Sequence, residues 1–76
     1  MNNPRRKNLQ NIINQLIDIK DALKEIKDEE EDYRDNIPEN LQGSERYEKS
    51  DEACDNLYEA VSNLEEAIEN IESAIE

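Results

Sequence analysis

Histidine, tryptophan and phenylalanine are absent from this sequence, and cysteine, glycine and methionine each occur once. Without histidine, the common zinc sites and the Glu-x-x-His motif of di-iron bundles are excluded. The lone cysteine, Cys54, cannot form an internal disulfide, which suits a reducing cytoplasm. Tyr33, Tyr47 and Tyr58 are the only aromatics, too few for a platform on which nucleic-acid bases stack. No apolar run approaches the roughly 20 residues needed to cross a bilayer. The N-terminus also lacks the apolar stretch of a signal peptide. The expected location is the cytoplasm, with no membrane contact.

Basic residues stop at Lys49, and that asymmetry dominates the charge. The net charge is −12 over 76 residues. Residues 1–27 carry six Lys/Arg against three Asp/Glu, and residues 28–76 carry three against eighteen. A chain so acidic repels nucleic acid and anionic membrane. The partner it favours is a protein with a basic surface, with no direct nucleic-acid contact.

What is present is periodic. Asn3 reads as an N-cap with Pro4 at the first helical position. Apolar residues then follow at Leu9, Ile12, Leu16, Ile19, Leu23, Ile26 and Tyr33, in steps of three and four with Glu30 at the omitted place. That is a heptad seam. Pro38 disfavours helix at Ile37, so the first helix is expected over about 4–35. A loop over about 36–44 follows, with Gly43 breaking the chain and Ser44 able to cap. The second helix is expected over about 45–76. Its seam is Tyr47, Ser50, Cys54, Leu57, Val61, Leu64, Ile68, Ile71 and Ile75, beside a row of Ala53, Ala60, Ala67 and Ala74. So short a connection allows only antiparallel neighbours. The expected fold is all-α: one domain, 1–76, an antiparallel two-helix hairpin resembling a coiled coil. The register expected pairs Tyr33 with Tyr47, Ile26 with Cys54, Leu23 with Leu57, Leu16 with Leu64 and Ile12 with Ile68. Glu30 and Ser50 then share one polar layer. Ile13, Ile17 and Tyr58 fall outside this seam. A homodimer closing into a four-helix bundle would cover them, the alternative being a monomer.

Candidate sites are few. The run Asp28-Glu29-Glu30-Glu31-Asp32 offers hard oxygen ligands, but consecutive helical residues point around the axis and do not converge on a cation. Glu65-Glu66-x-x-Glu69 matches one piece of the Mg²⁺ motif of all-α nucleotide pyrophosphatases, and Glu48-x-x-Asp51 and Glu52-x-x-Asp55 match the other. They stand in the wrong order on one helix, in a chain rich enough in acid for chance to supply them. No catalytic residue, metal or cofactor is therefore assigned, and an enzyme is not expected. Cys54, at a seam position, reads as core. Arg5-Arg6-Lys7 is expected to lie against Glu72 and Glu76 at the end of the second helix, a phosphate contact being the functional alternative. Asp51, Asp55, Glu59, Glu65, Glu66, Glu69 and Glu72 form the candidate partner-binding face. Ile37, Pro38, Leu41 and Gly43 mark the connection, where Ile37 and Leu41 with Tyr33 and Tyr47 either plug the bundle end or form a recognition loop.

The stretch Asp28-Glu29-Glu30-Glu31-Asp32-Tyr33-Arg34-Asp35-Asn36-Ile37-Pro38-Glu39-Asn40-Leu41-Gln42-Gly43-Ser44-Glu45-Arg46-Tyr47-Glu48 resembles the central signature of small helical-hairpin proteins. These occur in phages and prophages of Gram-positive, Firmicutes-type bacteria. The resemblance runs in character over nearly the whole chain and implies a phage setting and a host cytoplasm, without a chemistry. The function expected is a small acidic protein that binds and inhibits or modulates a host protein, as an anti-defence factor or a mimic of nucleic acid. The alternative is a structural or adaptor bundle in phage assembly or regulation. A Mg²⁺-dependent pyrophosphatase is a distant third.

Overall fold

The computed structural model describes all residues, Met1–Glu76. Helix α1 spans Asn3–Asp35, one 3-10 turn spans Glu39–Leu41, and helix α2 spans Glu45–Ala74. The two helices pack along their length as an extended hairpin of 59 × 15 × 13 Å. The expected all-α hairpin is what the chain forms. No helix is long and apolar enough to cross a membrane.

The α1 cap lies one residue earlier than the sequence suggests. Asn2, not Asn3, is the N-cap, its Oδ1 accepting the Arg5 backbone N–H at 2.8 Å. Either asparagine can cap. Pro4 fits the second helical position as well as the first, because no first-turn N–H has a helical partner to lose. At the other end Asn36 closes the helix. Its Nδ2 donates to the Asp32 carbonyl at 2.8 Å, which also receives the Asn36 backbone N–H. Ser44 caps α2, its Oγ accepting the Tyr47 N–H at 3.3 Å. Gly43 has no positive φ, and a Cβ there would meet nothing within 4 Å, so the turn does not depend on glycine's conformational freedom.

All nine seam residues of α2 are buried or half-buried, and Ala53, Ala60 and Ala67 beside them are half-buried. Helix α1 differs from its expected seam. Leu9, Leu16, Leu23 and Glu30 are half-buried as expected, but Ile12, Ile19, Ile26 and Tyr33 are exposed. Their place is taken by Arg6, Ile13, Lys20, Lys27 and Arg34, also seven apart, of which Ile13 is 2% exposed and the rest half-buried. Helix α1 is thus rotated by about 50°, half the turn between successive residues. The core pairs of Ile26 with Cys54 and Ile12 with Ile68 are excluded, whereas Leu16, Leu23, Leu57 and Leu64 are half-buried as that register requires.

The rotation has a physical reason. Lys and Arg lay aliphatic stems along an apolar seam while their heads reach the rim. One of those heads crosses to the acidic helix, the Arg34 Nη1 donating to the Asp51 Oδ1 at 3.0 Å, and Lys20 lines a groove with Glu65, Glu69 and Glu72, while Lys27 pairs with Asp28 and Glu31 of its own helix. Burying the isoleucine column would turn these cations away from α2. Ile13 is consequently core, a correction to its reading as a dimer flank. Ile17 is half-buried and Tyr58 is exposed.

The Glu30–Ser50 layer is not bonded. The Ser50 Oγ is buried with no hydrogen-bond partner. An unpaired buried hydroxyl bears its desolvation cost in full, so Ser50→Ala is expected to raise stability by about 1 kcal/mol. The test is a higher urea midpoint with an unchanged slope; a lower midpoint would show that the hydroxyl is satisfied after all.

Candidate partner-binding surface

The hairpin's charges divide by face. On α2, Glu52, Asp55, Glu59 and Glu66 are exposed, and Glu65, Glu69 and Glu72 gather with Lys20 and Ile68 around a shallow groove of about 320 Å³. Of the candidate face only Asp51 is in an ion pair, with Arg34. None of the carboxylates Asp55, Glu59, Glu65, Glu66, Glu69 and Glu72 has a cation within 4.0 Å, and neither do Glu52 and Glu76. The remaining pairs are local: Lys27 with Asp28 at 3.2 Å and Glu31 at 3.1 Å, Arg34 with Asp35, Lys49 with Glu45, and Lys20 with Asp21 at 3.9 Å. Exposed pairs of this kind contribute little to stability.

The expected contact of Arg5-Arg6-Lys7 with Glu72 and Glu76 is not made. Arg6 instead reaches the Asn3 Oδ1 at 3.4 Å and packs its stem at the seam, leaving its Nε buried without a partner. The acidic run at residues 28–32 points around α1, with Glu30 and Glu31 half-buried and the others exposed. No group of three acidic or cysteine side chains converges where a metal could sit. The pyrophosphatase-like pieces at Glu48 and Glu52 begin seventeen and thirteen residues before Glu65 on α2, about 25 and 20 Å along a straight helix, too far to share one ion.

At the connection, Ile37 is the deepest residue, at 2% exposure. Leu41 and Tyr33 are exposed and Tyr47 is half-buried, so the four-residue plug reduces to Ile37 with Tyr47. Pro38 sets φ at −56° and accepts the Leu41 N–H at 2.8 Å, starting the 3-10 turn. That turn lifts Leu41 outward while Ile37 points in. Tyr33 carries a cation on its ring: the Arg46 guanidinium lies 5.5 Å from the centroid.

Cys54 is fully buried, and burial pushes its thiol up, with the Arg34 charge opposing and the charges of Glu30, Glu31 and Asp51 reinforcing. Lys27 is raised by its hydrogen bonds to Glu31 and then Asp28, and Arg34 by its bond to Asp35 first. In each case the folded value lies above the unfolded one. The stabilisation is therefore complete at low pH and is lost as pH rises through the folded value. Cys54 titrates first, so stability is expected to decline from about pH 9 upward. Urea midpoints measured against pH check this. Cys54→Ala lowers the plateau but flattens the slope between about pH 8 and 10, and an unchanged slope counts against the assignment.

The sequence identified the carboxylates of this face and the isoleucine column, but placed Ile12, Ile19 and Ile26 in the buried seam, where the structure leaves them exposed. No protein-family model, curated protein or solved structure matches this chain.

Proposed function

We propose that the chain is a non-catalytic protein-binding module whose α2 carboxylates dock on a basic protein surface, inhibiting or modulating the partner. One observation carries the reading: from Glu52 to Glu76 no carboxylate forms an ion pair within 4.0 Å. Like charges along one helix repel, and that repulsion is relieved when a basic partner covers them. Complementary exposed charges steer the two surfaces together and give fast, salt-dependent association. The phage-type resemblance of the loop suggests a Gram-positive host protein, with a nucleic-acid-binding surface the natural complement to a row of carboxylates.

The test is capture from a lysate of such a host. At about 50 mM salt the chain should enrich proteins with basic surfaces, and at about 500 mM it should release them, because screening shortens the reach of exposed charges. Replacing Glu65, Glu66, Glu69 and Glu72 together by Gln should abolish the capture. Proteins retained equally at both salts, or by the Gln variant, would refute the acidic face as the contact.

A further inference from the structure

Ile12, Ile19, Ile26 and Tyr33 are 43%, 55%, 54% and 46% exposed. They stand seven apart, so they form one ridge, about 32 Å long from first to last. Beside the ridge run the half-buried Leu9, Leu16 and Leu23, then Leu57, Leu64 and Ile71 of α2. The alanine row completes the same face. The Arg46–Tyr33 contact shows this directly, since Arg46 occupies the alanine row one heptad before Ala53 and Tyr33 ends the isoleucine ridge. Stepping back by heptads from that observed pair puts Ile26 level with Ala53, Ile19 with Ala60, and Ile12 with Ala67. A large apolar side chain on one helix is level with a small one on the other, three times over.

The face is also free of charge. Its outer margins are Asn8, Gln15 and Ala22 on α1 and Asn56, Asn63 and Asn70 on α2. Charged residues enter it only toward its ends, at Arg5 on one side and at Glu29, Glu30, Arg46 and Lys49 near the loop. In a chain that is 39% charged, this is where an apolar partner fits at least electrostatic cost. Few apolar side chains are fully buried within one hairpin, namely Ile13, Ile37, Cys54, Val61 and Ile68, and small scaffolds with so thin a core commonly complete it by oligomerisation. The apolar stretch is about 32 Å long on a hairpin 15 Å across, so two copies bury roughly 1,000 Å² between them, the least that a specific interface needs.

We infer that a second copy of this chain covers the face, forming a two-fold symmetric four-helix bundle with both loops at the same end. A two-fold axis running along the helices, between the copies, preserves height and exchanges left for right. It seats the Ile12, Ile19 and Ile26 knobs of each copy on Ala67, Ala60 and Ala53 of the other. Every neighbouring helix pair is then antiparallel, and the surplus negative charge of both chains faces solvent. The opposite arrangement, loops at opposite ends, stacks isoleucine on isoleucine and leaves alanine facing alanine across a gap. Large on small packs; large on large with small on small does not.

The experiment has two arms, and neither uses the acidic face. Sedimentation equilibrium of the wild-type chain should give twice 8.9 kDa at about 100 µM. Added salt should tighten association, since it screens repulsion between two acidic chains, the reverse of its expected effect on docking through α2. A monomer mass would overturn the inference and leave the face to a different protein. The second arm fixes the arrangement with near-native variants, in a Cys54→Ala background. Oxidising a mixture of Ile19→Cys and Ala60→Cys chains should give the crossed disulfide in several-fold excess over either self-linked product. Predominance of self-linked Ile19→Cys chains would overturn the same-end packing. Ile19→Glu should raise the dissociation constant more than a hundredfold, and an unchanged mass for this variant would remove the ridge from the interface.

Discussion

Truncating Ile13 to alanine is expected to cost about 2–5 kcal/mol, the range for deleting a fully buried isoleucine side chain down to its Cβ. Ile13 is the one large side chain buried to 2% within the helix pair itself. For a chain of this size each kcal/mol shifts the melting temperature by about 4–8 °C, so the variant should melt at least 8 °C lower. Its neighbour provides the contrast. Ile12→Ala, at a concentration low enough for a monomer, should cost under about 1 kcal/mol, since much of that side chain is already in water. Thermal melts followed by far-ultraviolet circular dichroism measure both. Equal losses at the two positions in dilute solution would return α1 to the unrotated seam.

Ile37→Ala is the second large effect, about 2–4 kcal/mol. Ile37 lies outside both helices, yet its exposure equals that of Ile13. Its backbone N–H donates to the Arg34 carbonyl at 3.1 Å and Pro38 follows, so the residue enters the end of the bundle at a fixed angle. Removing the side chain unseals the turn that holds the helices together. Leu41→Ala, four residues on and exposed, should change the urea midpoint by less than the equivalent of about 0.5 kcal/mol. If Leu41→Ala proved as costly as Ile37→Ala, the shared plug first expected would be restored.

These two residues also show what was readable from the sequence. The seam of helix α2 was predictable because nothing in it competes: its flanks are mainly alanine, asparagine and carboxylates, with Tyr58 the one large apolar exception, and the helix ends at Ala74, two residues before the expected 76. Helix α1 offers two columns beside its leucines, one of isoleucines at 12, 19 and 26 and one carrying Ile13 with Lys20, Lys27 and Arg34. Hydrophobic periodicity alone selects the isoleucines. The choice is decided across the helix pair, where the Arg34 head reaches Asp51 of α2, and periodicity within one helix carries no sign of that. The carboxylates of the candidate face were evident from composition, whereas the freedom of all but Asp51 from ion pairs became visible only once the cations were placed. In the loop, alternation made Ile37 and Leu41 look equivalent; the 3-10 turn between them sends their side chains to opposite environments.

The short connection between α1 and α2 has a kinetic consequence. Contacts across a hairpin widen in sequence separation from the loop outward: Arg34 and Asp51 are seventeen residues apart, while partners near the termini are more than sixty apart. Closing a short segment costs less chain entropy than closing a long one, so the helices zip from the Ile37 end. Substitutions near the loop then act on the folding rate, and those near the open end on unfolding. The residues around Arg6 and Ile75 are the last to dock and the first to let go.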